Sequence, residues 1–139
     1  MGKLLKSCCI GALVLAGHAA YSEPKIVVER LAQLTGPNAI NCSPSEFEKS
    51  LTRAFSCAEA AIAASKAFFV VIHFSGCTDC SYWNGAAGSA EGALWEVIYD
   101  TNPRGLQNDT PVLATNPCSK LRFNPKDYPY IMCLEAHRR

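Results

Sequence analysis

Two cysteines, Cys77 and Cys80, have the spacing that most directly indicates chemistry in this chain. A Cys-x-x-Cys pair can cycle between dithiol and disulfide, can contribute to a metal site, or can form a structural cross-link. Zinc needs four ligands, and thiols in an oxidising compartment become disulfides, so neither a metal nor another cofactor is expected. The sequence favours a structural role for this pair and leaves a redox role as the alternative.

Other groups that could support catalysis are sparse. His73 lies inside an apolar run, and we interpret it as a core histidine rather than a general base. The remaining downstream histidine, His137, is two residues from the end of the sequence. The sequence contains neither a glycine-rich phosphate loop nor a nucleophile elbow, and no carboxylate pair stands out. We therefore expect no catalytic centre.

The first 22 residues have the organisation of a secretory signal peptide. Lys3 and Lys6 precede an apolar segment from Ile10 to Ala16, and small residues follow. That segment is too short to span a bilayer, so no stable membrane anchor is expected. Removing residues 1–22 takes away two lysines and no acids, which changes the formal charge from +1 to −1. We predict an exported protein, periplasmic or secreted, with residues 23–139 as a single domain and no nucleic-acid partner.

The exported part contains six cysteines, which predict a disulfide framework. Cysteines in small exported domains usually pair, and six of them allow about fifteen pairings. A helix that begins at Pro44 places Cys57 about 20 Å along its axis, whereas bridged cysteines have Cα atoms within about 7 Å. A Cys42–Cys57 bridge is therefore disfavoured, and Cys133 is the preferred partner of Cys57. The six residues are Cys42, Cys57, Cys77, Cys80, Cys118 and Cys133.

The cysteines must be positioned by neighbouring elements, and a helix is predicted to begin at Ser43. Ser43 suits the N-cap, Pro44 suits the first helical position, and Glu46 can bond back to the cap. The apolar stripe that follows at steps of three and four consists of Phe47, Leu51, Ala54, Phe55, Ala58 and Ile62. The next run, Ala67–Phe74, is apolar almost throughout, so it is either a buried strand or the buried end of the same helix.

The second half of the chain is predicted to contain one helix and a long loop. Ala90–Tyr99 carries apolar residues on one side of a helix, which Asn102-Pro103 ends. Gln107–Lys126 contains three prolines and is predicted to be a loop, and Tyr128–Ala136 is a last short apolar element. The expected fold class is therefore mainly α, a small disulfide-stapled helical domain with an optional short strand at Phe69–Phe74.

The passage from Phe69 to Cys77 resembles the strand that leads to the reactive cysteines in thioredoxin-like proteins. In that family the cysteines start a helix, whose N-terminus lowers the thiol pKa. Thr110-Pro111 is similar to the Thr-Pro peptide that faces the cysteines in that family. The resemblance implies an alternative α+β thioredoxin-like fold, with Cys77 and Cys80 as the catalytic residues of a periplasmic thiol-disulfide oxidoreductase.

A second resemblance covers more of the chain. Phe47–Ala64, Ala87–Glu96 and Tyr130–His137 are similar in order and spacing to periplasmic immunity proteins of type VI secretion amidase effectors. Proteins of that family are small, helical and stapled by a disulfide, and they plug the active-site groove of a peptidoglycan amidase. The resemblance implies that this chain binds and neutralises another exported protein, such as an amidase effector, and is not itself an enzyme.

The glycine- and alanine-rich stretch Tyr82–Ser89 is the candidate partner-binding loop. A binding protein of this kind needs a rigid scaffold, a protruding loop and a few buried anchors. Tyr82, Trp83 and Asn84 would supply the anchoring aromatic and amide groups. In the alternative interpretation, Tyr82 and Trp83 cap the core. The sequence leaves the partner's identity and the oligomeric state open.

Overall fold

The computed structural model describes residues 24–44, 47–77 and 80–134. The predicted signal peptide, residues 1–22, lies outside these ranges, as do Thr78, Asp79 and His137. The elements, in chain order, are α1 (Lys25–Thr35), β1 (Ile40–Asn41), α2 (Phe47–Ala63), β2 (Phe68–Cys77), β3 (Cys80–Gly88), β4 (Leu94–Asp100), β5 (Val112–Cys118), β6 (Lys120–Phe123) and β7 (Ile131–Leu134). Among the described residues, no helix is long and apolar enough to cross a membrane.

Five strands form one mixed sheet in the order β1-β2-β3-β4-β5. Strands β2 to β5 are consecutive antiparallel neighbours, and β1 adds a short parallel edge where Ile40 and Asn41 pair with Phe68 and Phe69. Strands β6 and β7 pair with each other as a separate two-stranded sheet. The prediction of a mainly α domain is therefore wrong, because strands make up most of the regular structure.

Helices cover both faces of the five-stranded sheet. Successive side chains of a strand point to opposite faces, so each strand supplies residues to two cores. On one face, called the α1 face, α1 contributes Val27 and Leu31 to a core with Val71, Trp83, Ala87 and Val97. On the other, called the α2 face, the core residues are Cys42, Leu51, Ala54, Phe55, Ala58, Ala61, Phe68, Val70, Ile72, Ala86, Leu121 and Ile131.

The segment predicted as a second helix is a turn followed by β4. Trp95, Val97 and Tyr99 alternate with the other residues of the strand and all belong to the α1-face core or pack against it. Such alternation is the two-residue period of a strand. The predicted helix at Ala90–Tyr99 was wrong because Leu94, Val97 and Ile98 also satisfy helical spacing over so short a segment.

The stretch Tyr82–Ser89, predicted to be a protruding loop, is instead almost entirely within β3 at the middle of the sheet. Its small residues reflect close packing rather than a loop. A Cβ atom on Gly88 would lie 2.3 Å from Cε1 of Phe68, and Ala86 and Ala87 are fully buried. Glycine and alanine therefore leave room for larger side chains from the neighbouring elements.

The predicted loop Gln107–Lys126 contains strands β5 and β6. Pro117 is tolerated within β5 because this strand is at the edge of the sheet, where a missing backbone N–H breaks no pairing. Of the two interpretations of Ala67–Phe74, the strand is the one observed, since Phe69–Phe74 lies within β2.

The described part of α2 begins at Phe47, and Ser43 does not have the predicted N-cap role. The Oγ atom of Ser43 accepts a hydrogen bond from the backbone N–H of Val71 at 3.1 Å, so Ser43 contacts β2. The predicted apolar stripe is confirmed at Leu51, Ala54, Phe55 and Ala58, which are buried. The stripe packs on the sheet face that also carries Phe68, Val70 and Ile72.

Two disulfides with described geometry link Cys42 to Cys57 and Cys118 to Cys133. The prediction that paired Cys57 with Cys133 is wrong, and so is the exclusion of a Cys42–Cys57 bridge. That exclusion assumed that Cys42 lies beyond the start of the helix, whereas its Cα atom is 5.6 Å from that of Cys57. The five residue steps from Cys42 to Phe47 can span about 16 Å when extended, enough to reach back along the helix.

Removing either disulfide should destabilise the protein, and removing Cys42–Cys57 should cost more. Both bridges have a sequence separation of 15, for which the chain-entropy model gives about 3 kcal/mol each. Cys42 is also 4% exposed within the α2-face core, so its replacement additionally loses packing. Urea unfolding of C42A/C57A and C118A/C133A measures both losses. Equal free energies of unfolding for the two variants would contradict the packing contribution.

Candidate functional site

Three connections lie at one end of the sheet, here called the loop end. β2 finishes at Cys77 where β3 begins at Cys80, and the loop of residues 101–111 joins β4 to β5 at the same end. Hydrogen bonds between Thr101 and Ser81 fix this loop to β3, including Thr101 N–H to Ser81 O at 3.0 Å. The loop of residues 124–130, between β6 and β7, approaches from the α2 face. Loops held by a rigid scaffold are the usual location of binding residues.

An aromatic cluster at the loop end, here called the tyrosine patch, consists of Phe74, Tyr82, Tyr128 and Tyr130. The ring of Phe74 stacks on Tyr130 at 5.6 Å and lies 5.8 Å from Tyr82 and 6.3 Å from Tyr128. Tyr128 also meets Tyr130 edge to face at 6.1 Å. Tyr128 is 69% exposed, the largest exposed fraction among the described large hydrophobic residues. The patch therefore presents aromatic surface to solvent on a packed base.

The loop of residues 124–130 is held in place by its first residue. Asn124 donates its backbone N–H to Tyr130 O at 2.8 Å, and its Oδ1 accepts the backbone N–H groups of Lys126 and Asp127. Such an asparagine-centred turn fixes the backbone locally. Tyr128 is consequently presented by a turn whose backbone is held by hydrogen bonds.

A row of polar side chains lies beside the patch on the α2 face. Glu96 accepts a hydrogen bond from Asn84 Nδ2 at 3.4 Å through Oε1 and from Asn116 Nδ2 at 3.2 Å through Oε2. These three residues lie on β3, β4 and β5, so the carboxylate links three strands. Asn84 is only 5% exposed, whereas Glu96 is partly exposed. The row thus fixes the orientation of one negative charge at the surface.

Tyr82 connects the patch to the acidic groups. Burial is the largest cause that raises the pKa of Tyr82 to about 12, and the nearby Tyr128, Glu96 and Asp100 raise it further. Tyr82 and Asp100 are direct cross-strand partners, which places their side chains side by side on the α2 face. Tyr82 therefore stays protonated and neutral at physiological pH.

The three predicted partner-binding residues have different environments. Tyr82 is half-buried within the tyrosine patch. Asn84 is buried and donates a hydrogen bond to Glu96. Trp83 points to the opposite face, where it is 8% exposed and packs in the α1-face core. His73 stacks on Trp83 at 4.4 Å, and burial lowers the pKa of His73. Only Tyr82 is thus placed at a surface that a partner can reach.

Cys77 and Cys80 are register partners at the end of the β2–β3 hairpin. The thioredoxin-like alternative requires a helix directly after the second cysteine, but β3 begins at Cys80. This pair consequently lacks the helix N-terminus that lowers thiol pKa values in that family. Cys80 is disulfide-bonded. Within the described ranges, no group of three or more His, Cys, Asp or Glu residues could hold a metal ion.

The loop of residues 101–111 carries a second exposed apolar group that the sequence reasoning missed. Asp109 organises this loop, since its carboxylate accepts Arg104 Nε at 2.8 Å and the backbone N–H of Arg104 at 2.7 Å. Leu106, which lies between these two residues in the sequence, has a side chain that is 54% exposed. Tyr128 was also missed, although the Tyr-Pro-Tyr sequence at 128–130 is an aromatic signal.

Comparison with known proteins adds nothing to this geometry. No protein-family model, characterised protein or solved structure matches the chain.

Alanine substitutions at the adjacent residues Tyr82 and Trp83 should have very different effects on stability. Trp83→Ala should cost about 3 to 5 kcal/mol of unfolding free energy, because it empties part of the α1-face core. Tyr82→Ala should cost about 1 kcal/mol, because this side chain is only half-buried. Urea denaturation of both variants measures the difference. Equal losses would show that the register of β3 is wrong.

Tyr82 should make the protein less stable in strong alkali. The phenol keeps its proton up to a pKa of about 12 in the folded state, against an ordinary value of 10.0. Its contribution to stability is therefore complete below pH 10 and is lost as the pH rises towards 12. Ultraviolet titration should show a late-ionising component that is lost in Tyr82→Phe and retained in the control Tyr99→Phe. Persistence of the late component in Tyr82→Phe would assign it to another residue.

Proposed function

We propose that this chain is an exported, non-enzymatic protein that binds and neutralises another protein through its loop end. The observation that carries the proposal is the tyrosine patch, in which an exposed Tyr128 stands on a packed base of three other rings. Tyrosine is enriched among the residues that dominate protein–protein binding energy. It offers a large contact area with few rotatable bonds, so little entropy is lost on binding.

The scaffold beneath the patch supports this role. The Cys118–Cys133 disulfide ties β5 to β7, and β7 follows directly on the loop that carries Tyr128. The Cys42–Cys57 disulfide ties α2 to the chain after β1. Disulfides fit an oxidising compartment. A preorganised surface of this kind needs no reactive group, since its task is to occupy a site on another protein.

For the partner, we propose a peptidoglycan amidase effector in the periplasm. The sequence resemblance to amidase immunity proteins motivates this choice. The observed fold differs from the helical fold of those proteins, so the proposal depends on the tyrosine patch and not on shared architecture. Leu106 on the neighbouring loop adds an apolar group that could enter a groove.

Removing the Tyr128 ring should weaken partner binding substantially without unfolding the protein. The experiment measures binding of the purified, oxidised chain to exported amidases encoded beside its gene, by calorimetry and by inhibition of peptidoglycan hydrolysis. Tyr128→Ala should weaken binding by about 30-fold, the loss expected for a central anchor worth about 2 kcal/mol. Its melting temperature should stay close to that of the wild type, because Tyr128 is 69% exposed.

Ile26→Ala provides the matched control for this experiment. Ile26 is 46% exposed on α1, which covers the opposite sheet face, so its loss should leave binding unchanged. Equal weakening by both substitutions, or undiminished binding by Tyr128→Ala, would contradict the proposed surface. An insulin-reduction assay on the same preparations tests the oxidoreductase alternative, and turnover that requires Cys77 and Cys80 would favour that alternative instead.

A further inference from the structure

The tyrosine patch has an uncompensated negative charge at its edge. Glu96 and Asp100 both lie on the α2 face of β4, and both influence the proton affinity of Tyr82. Among the described residues, the ion pairs are Lys25–Glu29 and Arg104–Asp109, so neither Glu96 nor Asp100 is paired with a cation. An unpaired carboxylate beside exposed aromatic surface is complementary to a positively charged group.

The other charges near the loop end cancel one another. Arg104 and Asp109 pair within the loop of residues 101–111. Lys126 and Asp127 are neighbours on the loop that carries Tyr128, and their formal charges sum to zero. Among the described residues of these two loops the formal charges therefore sum to zero, and the carboxylates of Glu96 and Asp100 keep their negative charge beside the patch.

Both carboxylates are held in fixed positions. The two oxygens of Glu96 each accept one amide hydrogen bond, from Asn84 and Asn116, and a carboxylate can accept further bonds at the remaining lone pairs. Asp100 Oδ1 accepts the backbone N–H of Asn102 at 2.9 Å. The acceptors therefore lose little freedom when they bind a partner's donor groups.

We infer that the tyrosine patch binds an arginine side chain of the partner protein, with its guanidinium over the Tyr128 ring and hydrogen-bonded to Asp100 or Glu96. This inference rests on the proposed function, because it specifies the chemistry of the partner at the same surface. A planar guanidinium stacks on aromatic rings and also donates two parallel hydrogen bonds to a carboxylate. A lysine ammonium offers a single point charge and is more strongly hydrated, so it fits this combination less well.

The test uses short peptides as probes of the wild-type protein. Acetyl-Gly-Arg-Gly-amide is titrated and followed by NMR shifts of the Tyr82 and Tyr128 rings, with peptides containing lysine or glutamate in place of arginine for comparison. The arginine peptide should bind about two- to fivefold more tightly than the lysine peptide, because only the guanidinium can stack on the ring and also donate two parallel hydrogen bonds to a carboxylate. Equal responses to arginine and glutamate peptides, or no response to arginine, would overturn the inference.

Asp100→Asn and Asp127→Asn form the matched pair of variants. Each removes one negative charge at the same end of the molecule, and asparagine at position 100 keeps an oxygen for the Asn102 N–H. Asp100→Asn should weaken arginine-peptide binding about two- to fivefold, the factor expected for the loss of one exposed ion pair, while Asp127→Asn should not, because Asp100 is the cross-strand partner of Tyr82. Equal weakening by both variants would indicate long-range charge alone and overturn the proposed contact.

The outcomes separate this inference from the proposed function. If Tyr128→Ala weakens amidase binding but Asp100→Asn does not alter it, the arginine contact is wrong and the binding function stands. If the arginine peptide binds in an Asp100-dependent manner and no amidase is captured, the partner class is wrong and the arginine site stands.

Discussion

Burial of the central sheet on both faces is the constraint on which the rest of this structure depends. Strands β2 and β3 supply alternate side chains to two separate cores, so their residues must fit helices on either side. The close approach of Phe68 to Gly88 shows how little space remains, since any side chain at Gly88 would collide with the ring. The small residues of β3 therefore complement the large residues of β2. The hydrophobic stabilisation of both cores depends on the register in which these two strands pair.

The same alternation separates the surface that can bind from the surface that must pack. Tyr82 lies on the α2 face near the open loop end, while the next residue, Trp83, is covered by α1. Two disulfides reinforce the α2 side, and hydrogen bonds from Asn124 and Thr101 order the two loops that flank the patch. The result is a rigid aromatic surface rather than a flexible protruding loop. The proposed binding surface is therefore a different one from the loop that the sequence predicted.

The hydrophobic pattern of the sequence predicted secondary structure correctly only where it extended over a long element. The apolar stripe through Leu51 and Phe55 correctly indicated a helix, because four turns of consistent spacing leave little ambiguity. Segments of seven residues, such as β4, satisfy helical and strand periods alike. The Gly- and Ala-rich strand β3 was missed because its composition reflects neighbours distant in sequence. The pairing of Cys42 with Cys57 could not be deduced either, since it depends on the path by which the chain enters the helix.

The alternation of surface and core residues along β3 and β4 also affects how such a protein can change during evolution. Tyr82 and Asp100 lie on the α2 face of the sheet, whereas their immediate neighbours Trp83 and Tyr99 contact each other at 5.6 Å on the opposite face, which α1 covers. The residues of the proposed binding surface and the residues of the α1-face core therefore alternate along the same strands. Mutations at the surface positions can change binding specificity, while the core positions between them, and with them the fold, stay unchanged.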